Sequence, residues 1–457
     1  MKAGWLALFL AAALPALAAA LPDDEARPGG AATSKGPRNL SAFSQPSGNL
    51  SFARQFDFRL GDGVFRKLWV SAPSSTRSSD GLGPLYNARA CQSCHLKDGR
   101  GRPPAAGEQP SSLLLRLARA DGSPDPLYGR QIQSFAIQGH EAEAALAVDH
   151  VVHEVRLGDG TTVRLRRPVW RAAWLQGAPA PDTTLSPRVA PPMIGMGLLE
   201  LIPEADILAR EDPADRDGDG IRGIANREPG RPGIGRFGWK AGAASVAEQT
   251  ANAFLNDMGL GNPVHPAGHG DCTAAQAACR AAPDGGETPA DGGPPEPEVP
   301  QRLFDLTVFY ARNLAVPTRP RAGEAEVRRG RDVFRQIGCA ACHVPRQVTG
   351  PSDTQPHLAG QVIWPYSDLL LHDMGEGLAD GQVEGRASGR HWRTPPLWGL
   401  GLTHTVSGHW LLLHDGRADG PLEAILWHGG EAAGARDRAA ALSPAERAAL
   451  LAFLGSL

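Results

Sequence analysis

The chain has 457 residues, 42% of them hydrophobic, and a formal net charge of −3. That is length enough for two or three domains with buried cores. The near-balanced charge argues against nucleic acid or an anionic lipid surface as a partner. Tryptophan (10) outnumbers tyrosine (4), and surplus indoles suit packing around a flat cofactor as well as plain core filling.

The chain opens with Lys2 and an apolar run from Trp5 to Ala20 that ends in small residues. This predicts a cleaved secretory signal over residues 1–20. The run is short for a transmembrane helix, no cysteine follows it to carry a lipid, and no later segment is apolar enough to span. The expectation is an exported, periplasmic protein that does not span the membrane. Residues 21–45, rich in Asp, Pro, Gly and Ser, read as a disordered leader.

Gly61 to Leu68 predicts a short amphipathic helix with Phe65 on its inner face. Beyond it stands Cys91-Gln92-Ser93-Cys94-His95. The same order recurs later, with Gly330 to Ile337 as the helix, Phe334 on its inner face, and then Cys339-Ala340-Ala341-Cys342-His343. Each Cys-x-x-Cys-His run reads as a c-type haem attachment site. Two thiols form thioethers to the porphyrin, and the histidine is the proximal iron ligand. A thioredoxin-like pair has no need of the adjoining His, and a zinc site wants two Cys/His pairs close together. Two such motifs predict two c-type haems that exchange electrons.

Between them, Val151–Leu157 and Thr161–Arg167 alternate around Gly158-Asp159-Gly160, which predicts a β-hairpin. Asp215-Arg216-Asp217-Gly218-Asp219-Gly220 fits the first half of a calcium loop, with three alternate carboxylates and a turn glycine. The twelfth position is Asn226 rather than Glu, so a solvated Asp/Gly loop stands beside the calcium reading. Ala243–Met258 predicts a helix. Residues 262–300 predict a long surface loop, and in an oxidising compartment Cys272 and Cys279 can close a disulfide there. Arg302–Leu314 predicts a helix ended by Pro317, and Ser443-Pro444-Ala445-Glu446 caps a last helix. The expected fold is mainly α. Two cytochrome c-like domains cover 46–317 and 318–457, the first carrying a long middle section with a small β-hairpin.

Several further stretches carry a resemblance. They are Pro191 to Glu200, Gly235 to Lys240, Tyr366 to Gly375, Trp392 to Gly399, Leu413 to Arg417 and Glu423 to Gly430. With the two haem motifs, they resemble the bacterial di-haem cytochrome c peroxidase superfamily, and within it the di-haem oxidoreductase branch. The resemblance implies that the haem of His95 reduces hydrogen peroxide or a similar oxidant, and that the haem of His343 relays electrons. It implies a small electron-donor protein, a cytochrome c or a cupredoxin, and a homodimer. It also implies a sixth ligand a fixed distance beyond His414-Asp415-Gly416, a position that holds His428; Met374 is the alternate. His140, His150 and His153 are weaker candidates to cap the first iron. Glu200 is the candidate distal acid, with Glu204 as alternate, and Arg188 the candidate partner of a haem propionate. Trp239 is the candidate electron relay between the haems. Related peroxidases hold calcium, which supports a metal at Asp215, Asp217 and Asp219. The other functions open to such a chain are a non-catalytic electron-transfer cytochrome and a di-haem oxidase acting on a partner protein.

Overall fold

A computed structural model describes residues 24–105, 107–228, 230–286 and 296–457. The predicted signal, 1–20, lies outside them.

Two pairs of crossing helices organise the molecule. The first pair is α1 (Phe52–Arg66) and a helix from the end of the first half (Gln301–Asn313); the second joins Ala325–Gln336 to the last helix, Pro444–Leu454. Each crossing is set by a glycine. A Cβ on Gly61 would run into the Leu306 carbonyl, and one on Gly330 into the Ala449 carbonyl. Only glycine lets the backbones approach that closely. The aromatics then meet in the same way: Phe65 is 5.2 Å from Tyr310, and Phe334 is 5.2 Å from Phe453. The last helix starts as the sequence predicts, with Ser443 and Glu446 forming a capping box.

The remaining elements that position the site follow in chain order. The first attachment motif forms α2 (Cys91–Cys94). Strand β1 (Leu113–Ala118) pairs antiparallel with β4 (Thr184–Val189), and between them β2 (Ala144–Arg156) and β3 (Thr162–Trp174) form the hairpin. Then come α3 (Met196–Glu200), α4 (Val246–Met258), α5 (Gln301–Asn313) and α6 (Ala325–Gln336). Strand β5 (Leu371–Asp373) pairs with β6 (His391–Arg393), and α7 (Pro421–Trp427) and α8 (Pro444–Leu454) complete the chain. Ser245 caps α4 by accepting from the Glu248 N–H. The Cys272–Cys279 disulfide is formed.

Two expectations are corrected. The fold is not mainly α: 30% is helix and 16% strand. The 55 glycines and 40 prolines break helices, and the middle section spends its length on paired strands and turns. The supposed disordered leader, 21–45, is packed from residue 24 onward. Glu25, 3% exposed, is ion-paired with Arg319 and Arg331 and accepts from Tyr366 Oη at 3.0 Å. Phe43 is 1% exposed in the main core. A composition poor in apolar residues hides this, because the anchor is a buried ion pair.

The hairpin is longer than predicted and changes face along its length. Near its base Ala144, Leu146, Trp170, Ala172 and Trp174 pack inward; near its tip Val155, Val163 and Leu165 do, and these belong to the other face. The right-handed twist of a two-stranded ribbon produces this switch. The tip reaches the second half, where the Gly158 N–H donates to the Ala440 carbonyl at 2.9 Å and Asp159 pairs with Arg447. The hairpin is thus a strap across both halves. No helix among the described residues is long and apolar enough to cross a membrane.

Candidate functional site

Both Cys-x-x-Cys-His motifs line one continuous cavity of about 1220 Å³. Pockets for a single small ligand run to ~300–1,000 Å³, so there is room for more. Cys91, Cys94, Cys339 and Cys342 all line it, and none of the four is in a disulfide. Burial pushes the thiols of Cys91 and Cys339 up to about 12, and Cys94 and Cys342 also upward. Such a setting disfavours thiolates, as zinc would need, and suits neutral thioethers.

The histidines are fixed in the tautomer that an iron requires. His95 Nδ1–H donates to the Pro191 carbonyl at 2.9 Å, and His343 Nδ1–H to the Tyr366 carbonyl at 3.0 Å. Each ring is braced by the aromatic of its crossing helix, Phe65 or Phe334, with centroids 6.3 Å apart. Burial pulls both imidazoles down to about 4, so they are neutral and Nε2 keeps its lone pair. A backbone carbonyl on Nδ1 is the usual outer partner of a metal-bound histidine.

His428, at the C-terminal end of α7, has the same tether, Nδ1–H to the Ala424 carbonyl at 2.7 Å. Burial lowers its pKa, and it is among the groups His343 feels electrostatically. Met374 lines the same cavity, partly buried in an apolar cluster. Both named candidates for the sixth position are therefore brought to the cavity, and His428 has its free nitrogen already fixed. His150 and His153 lie exposed on the hairpin, and neither they nor His140 line the cavity.

The distal-acid reading of Glu200 is corrected. Its carboxylate is held by Arg312 at 2.7 and 3.0 Å, the Val246 N–H at 2.8 Å and Gln355 at 3.1 Å. It stands outside the cavity lining, because the last residue of α3 turns toward Arg312 and the start of α4 instead. Glu204 pairs with Arg227 at 3.7 Å and does not line the cavity either.

A carboxylate that the sequence reading missed does line it. Asp257, near the end of α4, interacts electrostatically with both Cys91 and Cys94. Burial raises its pKa to about 6, against the pull of a 2.9 Å hydrogen bond from Gln131. The signal lay in helical spacing: the apolar face of α4 holds Phe254 and Met258, and Asp257 stands beside Met258.

Arg100, Arg116, Arg188 and Arg393 are among the arginines that line the cavity. Arg188 is already paired with Glu384 at 2.6 Å and Asp380 at 3.4 Å. Arg116 Nε is buried without a hydrogen-bond partner. Burial lowers the pKa of Arg100 and Arg393 to about 10 and that of Arg116 as well. Arg116 thus keeps a buried donor unused, as a ligand with a carboxylate arm would require.

Trp239 is buried and donates from Nε1 to the Val189 carbonyl at 2.8 Å. Its ring meets His414 edge-on at 6.4 Å, and His414 stacks on Trp392 at 3.8 Å and 12°. Burial holds His414 down to about 4, hence neutral. Three π-systems therefore line the cavity in a row. His414 and Trp392 both stand in the resembling stretches but drew no role from sequence.

Asp215, Asp217 and Asp219 gather with their carboxylate oxygens within 4.8 Å of one another. Asn226 faces elsewhere: it is 1% exposed and bonded to the Lys240 and Glu384 carbonyls. No twelfth-position ligand completes the loop.

Fold and site define a haem-binding redox protein built from two linked units. The chain belongs to the di-haem oxidoreductase family: the family model described as "Di-haem oxidoreductase, putative peroxidase" matches residues 23–120 and 142–457. No curated protein matches. Among solved structures, a hydrazine synthase from Kuenenia stuttgartiensis pressurised with xenon is similar at 13% identity and a TM-score of 0.36. That similarity covers 88% of this chain and 87% of the other, and it is too weak to carry an argument.

Proposed function

We propose that this protein is an exported, periplasmic peroxidase with two c-type haems. Hydrogen peroxide reacts at the haem of His95, and electrons come from a small cytochrome c or cupredoxin through the haem of His343. The observation that carries the reading is the unequal furnishing of one shared cavity. The second motif is faced by a histidine already tethered for ligation, while the first has a half-buried carboxylate, Asp257, at hand.

The haems supply the iron that takes the peroxide and the π-system that accepts electrons. The chain supplies the rest. His95 and His343 are held by Pro191 and Tyr366 so that each presents Nε2. His428 holds the second site closed to other ligands. Asp257 takes a proton from one peroxide oxygen and returns it to the other; a carboxyl with a pKa near 6 is suited to both transfers. Arg116, with Arg100 and Arg393 of the same cavity, receives the propionates, a role that passes from the already neutralised Arg188 to Arg116. Trp239, His414 and Trp392 offer a π-route between the two ends. The Asp215–Asp219 loop is open to calcium through three carboxylates.

The test is the spectrum and reactivity of the purified protein. Two covalent haems, a high-spin ferric band and turnover of peroxide with a reduced donor are expected. Purely low-spin haems that ignore peroxide after reduction would overturn the enzyme in favour of an electron-transfer cytochrome.

A further inference from the structure

Beside the second end of the cavity lies a charge cluster that the proposed chemistry does not use. His372, on β5, meets Glu431 Oε2 through Nδ1 at 2.7 Å and Asp368 Oδ2 through Nε2 at 2.9 Å. A carboxylate oxygen lies within hydrogen-bond distance of each ring nitrogen, so both nitrogens donate and the ring is an imidazolium. His372 is 3% exposed and Asp368 1%. Cys342 Sγ lies 3.6 Å from His372 Nδ1. Cys342, Asp368 and His372 could be taken for a metal site. The ring has no lone pair left for a metal, however, and Cys342 belongs to the attachment motif.

The cluster is built rather than incidental. The Leu370 N–H donates to Asp368 Oδ1 at 2.9 Å; the Asp373 and Arg222 N–H groups donate to Glu431 at 2.9 and 2.8 Å. Gly223 lies against the ring, and a Cβ there would fall 2.7 Å from His372 Cε1. Arg393 is the other cation that Asp368 feels, and it is buried too. Fixed charges of both signs are thus held at the thioether edge of the second motif.

We propose that the Asp368–His372–Glu431 triad sets the reduction potential of the second haem, His372 raising it and Glu431 lowering it. The inference rests on Cys342 carrying a haem thioether. A ferric haem carries one more positive charge than a ferrous one. A nearby cation therefore favours reduction and a nearby anion favours oxidation, most strongly where water is excluded. Ligation by the imidazole of His428 rather than by a thioether already favours the ferric state. Without His372, Asp368 and Glu431 would add to that bias and leave the relay a poor electron acceptor. His372 is accordingly a positioning residue for electron transfer and touches no substrate.

The experiment is a spectroelectrochemical titration of the full-length holoprotein, its His372→Gln variant and its Glu431→Gln variant. The midpoint of the second haem should fall in His372→Gln and rise in Glu431→Gln, with the first haem nearly unmoved. A merely structural role would admit water in both variants and move them the same way, so parallel shifts, or none, overturn the proposal. If His372→Gln is not recovered folded, Glu431→Gln decides alone: a rise supports the proposal, and a fall or no change overturns it. Mass spectrometry of the Cys339–Cys342 peptide separates the two readings. A wild-type peptide without haem refutes the attachment, whereas a haem-bearing peptide without opposed shifts refutes only the triad's role.

Discussion

In the first half, α1 crosses α5 at Gly61 and sets Phe65 6.3 Å from His95; in the second, α6 crosses α8 at Gly330 and sets Phe334 6.3 Å from His343. Each histidine donates Nδ1–H to a carbonyl from a following loop. The scaffolds match, and the surroundings do not. The second histidine has His428 across the cavity and the Asp368–His372–Glu431 triad at its edge. The first has Asp257 at hand. A repeated scaffold can therefore hold two cofactors alike, while the side chains around each decide whether it reacts or relays.

The comparison breaks most completely if attachment is removed from one side. Replacing Cys91 and Cys94 by Ala should leave one covalent haem, still low-spin, and abolish peroxide turnover; replacing Cys339 and Cys342 should leave one haem that receives no electrons from the donor. A haemochrome assay and steady-state kinetics check both. Next, Asp257→Asn should cost ~10²–10⁴ in kcat and leave the second haem's spectrum unchanged. Its folded pKa, about 6, lies above the ordinary 3.8. The ionised form that accepts a proton is lost as pH falls through about 6, so turnover should fall there too. The same shift means that the native state pays for ionising Asp257 above its ordinary value. The Asn variant should therefore be at least as stable as wild type at neutral pH in a denaturant titration.

Two further changes sharpen the second half. His428→Ala should turn its haem high-spin or shift it to Met374, and an unchanged spectrum would refute the ligand. Gly330→Ala should destabilise by ~1–3 kcal/mol, as overpacking does, with Gly61→Ala giving a similar loss in the first half. Last and smallest, Asp159→Ala at the hairpin tip removes the ion pair with Arg447 and the bond from the Thr161 N–H, and should show as a small drop in thermal midpoint.

The repeated helix before each Cys-x-x-Cys-His motif, the cap of the last helix and the hairpin were legible in sequence because each rests on neighbours a few residues apart. Asp257 and Glu200 were not, since both are carboxylates at the end of a helix with an apolar face. What separates them is Arg312, 112 residues from Glu200, which occupies it. The strap was visible only as a hairpin, because its change of face comes from twist and from a partner helix near residue 440. The packed segment from residue 24 was illegible for a similar reason: its partners lie about 300 residues away.

Arg319 grips Glu25 through one nitrogen and donates to Ser456 Oγ through two others at 3.1 and 2.9 Å. One guanidinium thus gathers a segment near the start of the chain, the junction between the halves, and the next-to-last residue. During synthesis this clasp stays open until residue 456 has been made, whereas the first attachment motif is available hundreds of residues earlier. Assembly has a built-in order: the first cofactor can be loaded onto an unfinished chain, and the second half shuts last. A peptide appended after Leu457 would sit beside that clasp. It would loosen the second half of the molecule before the first.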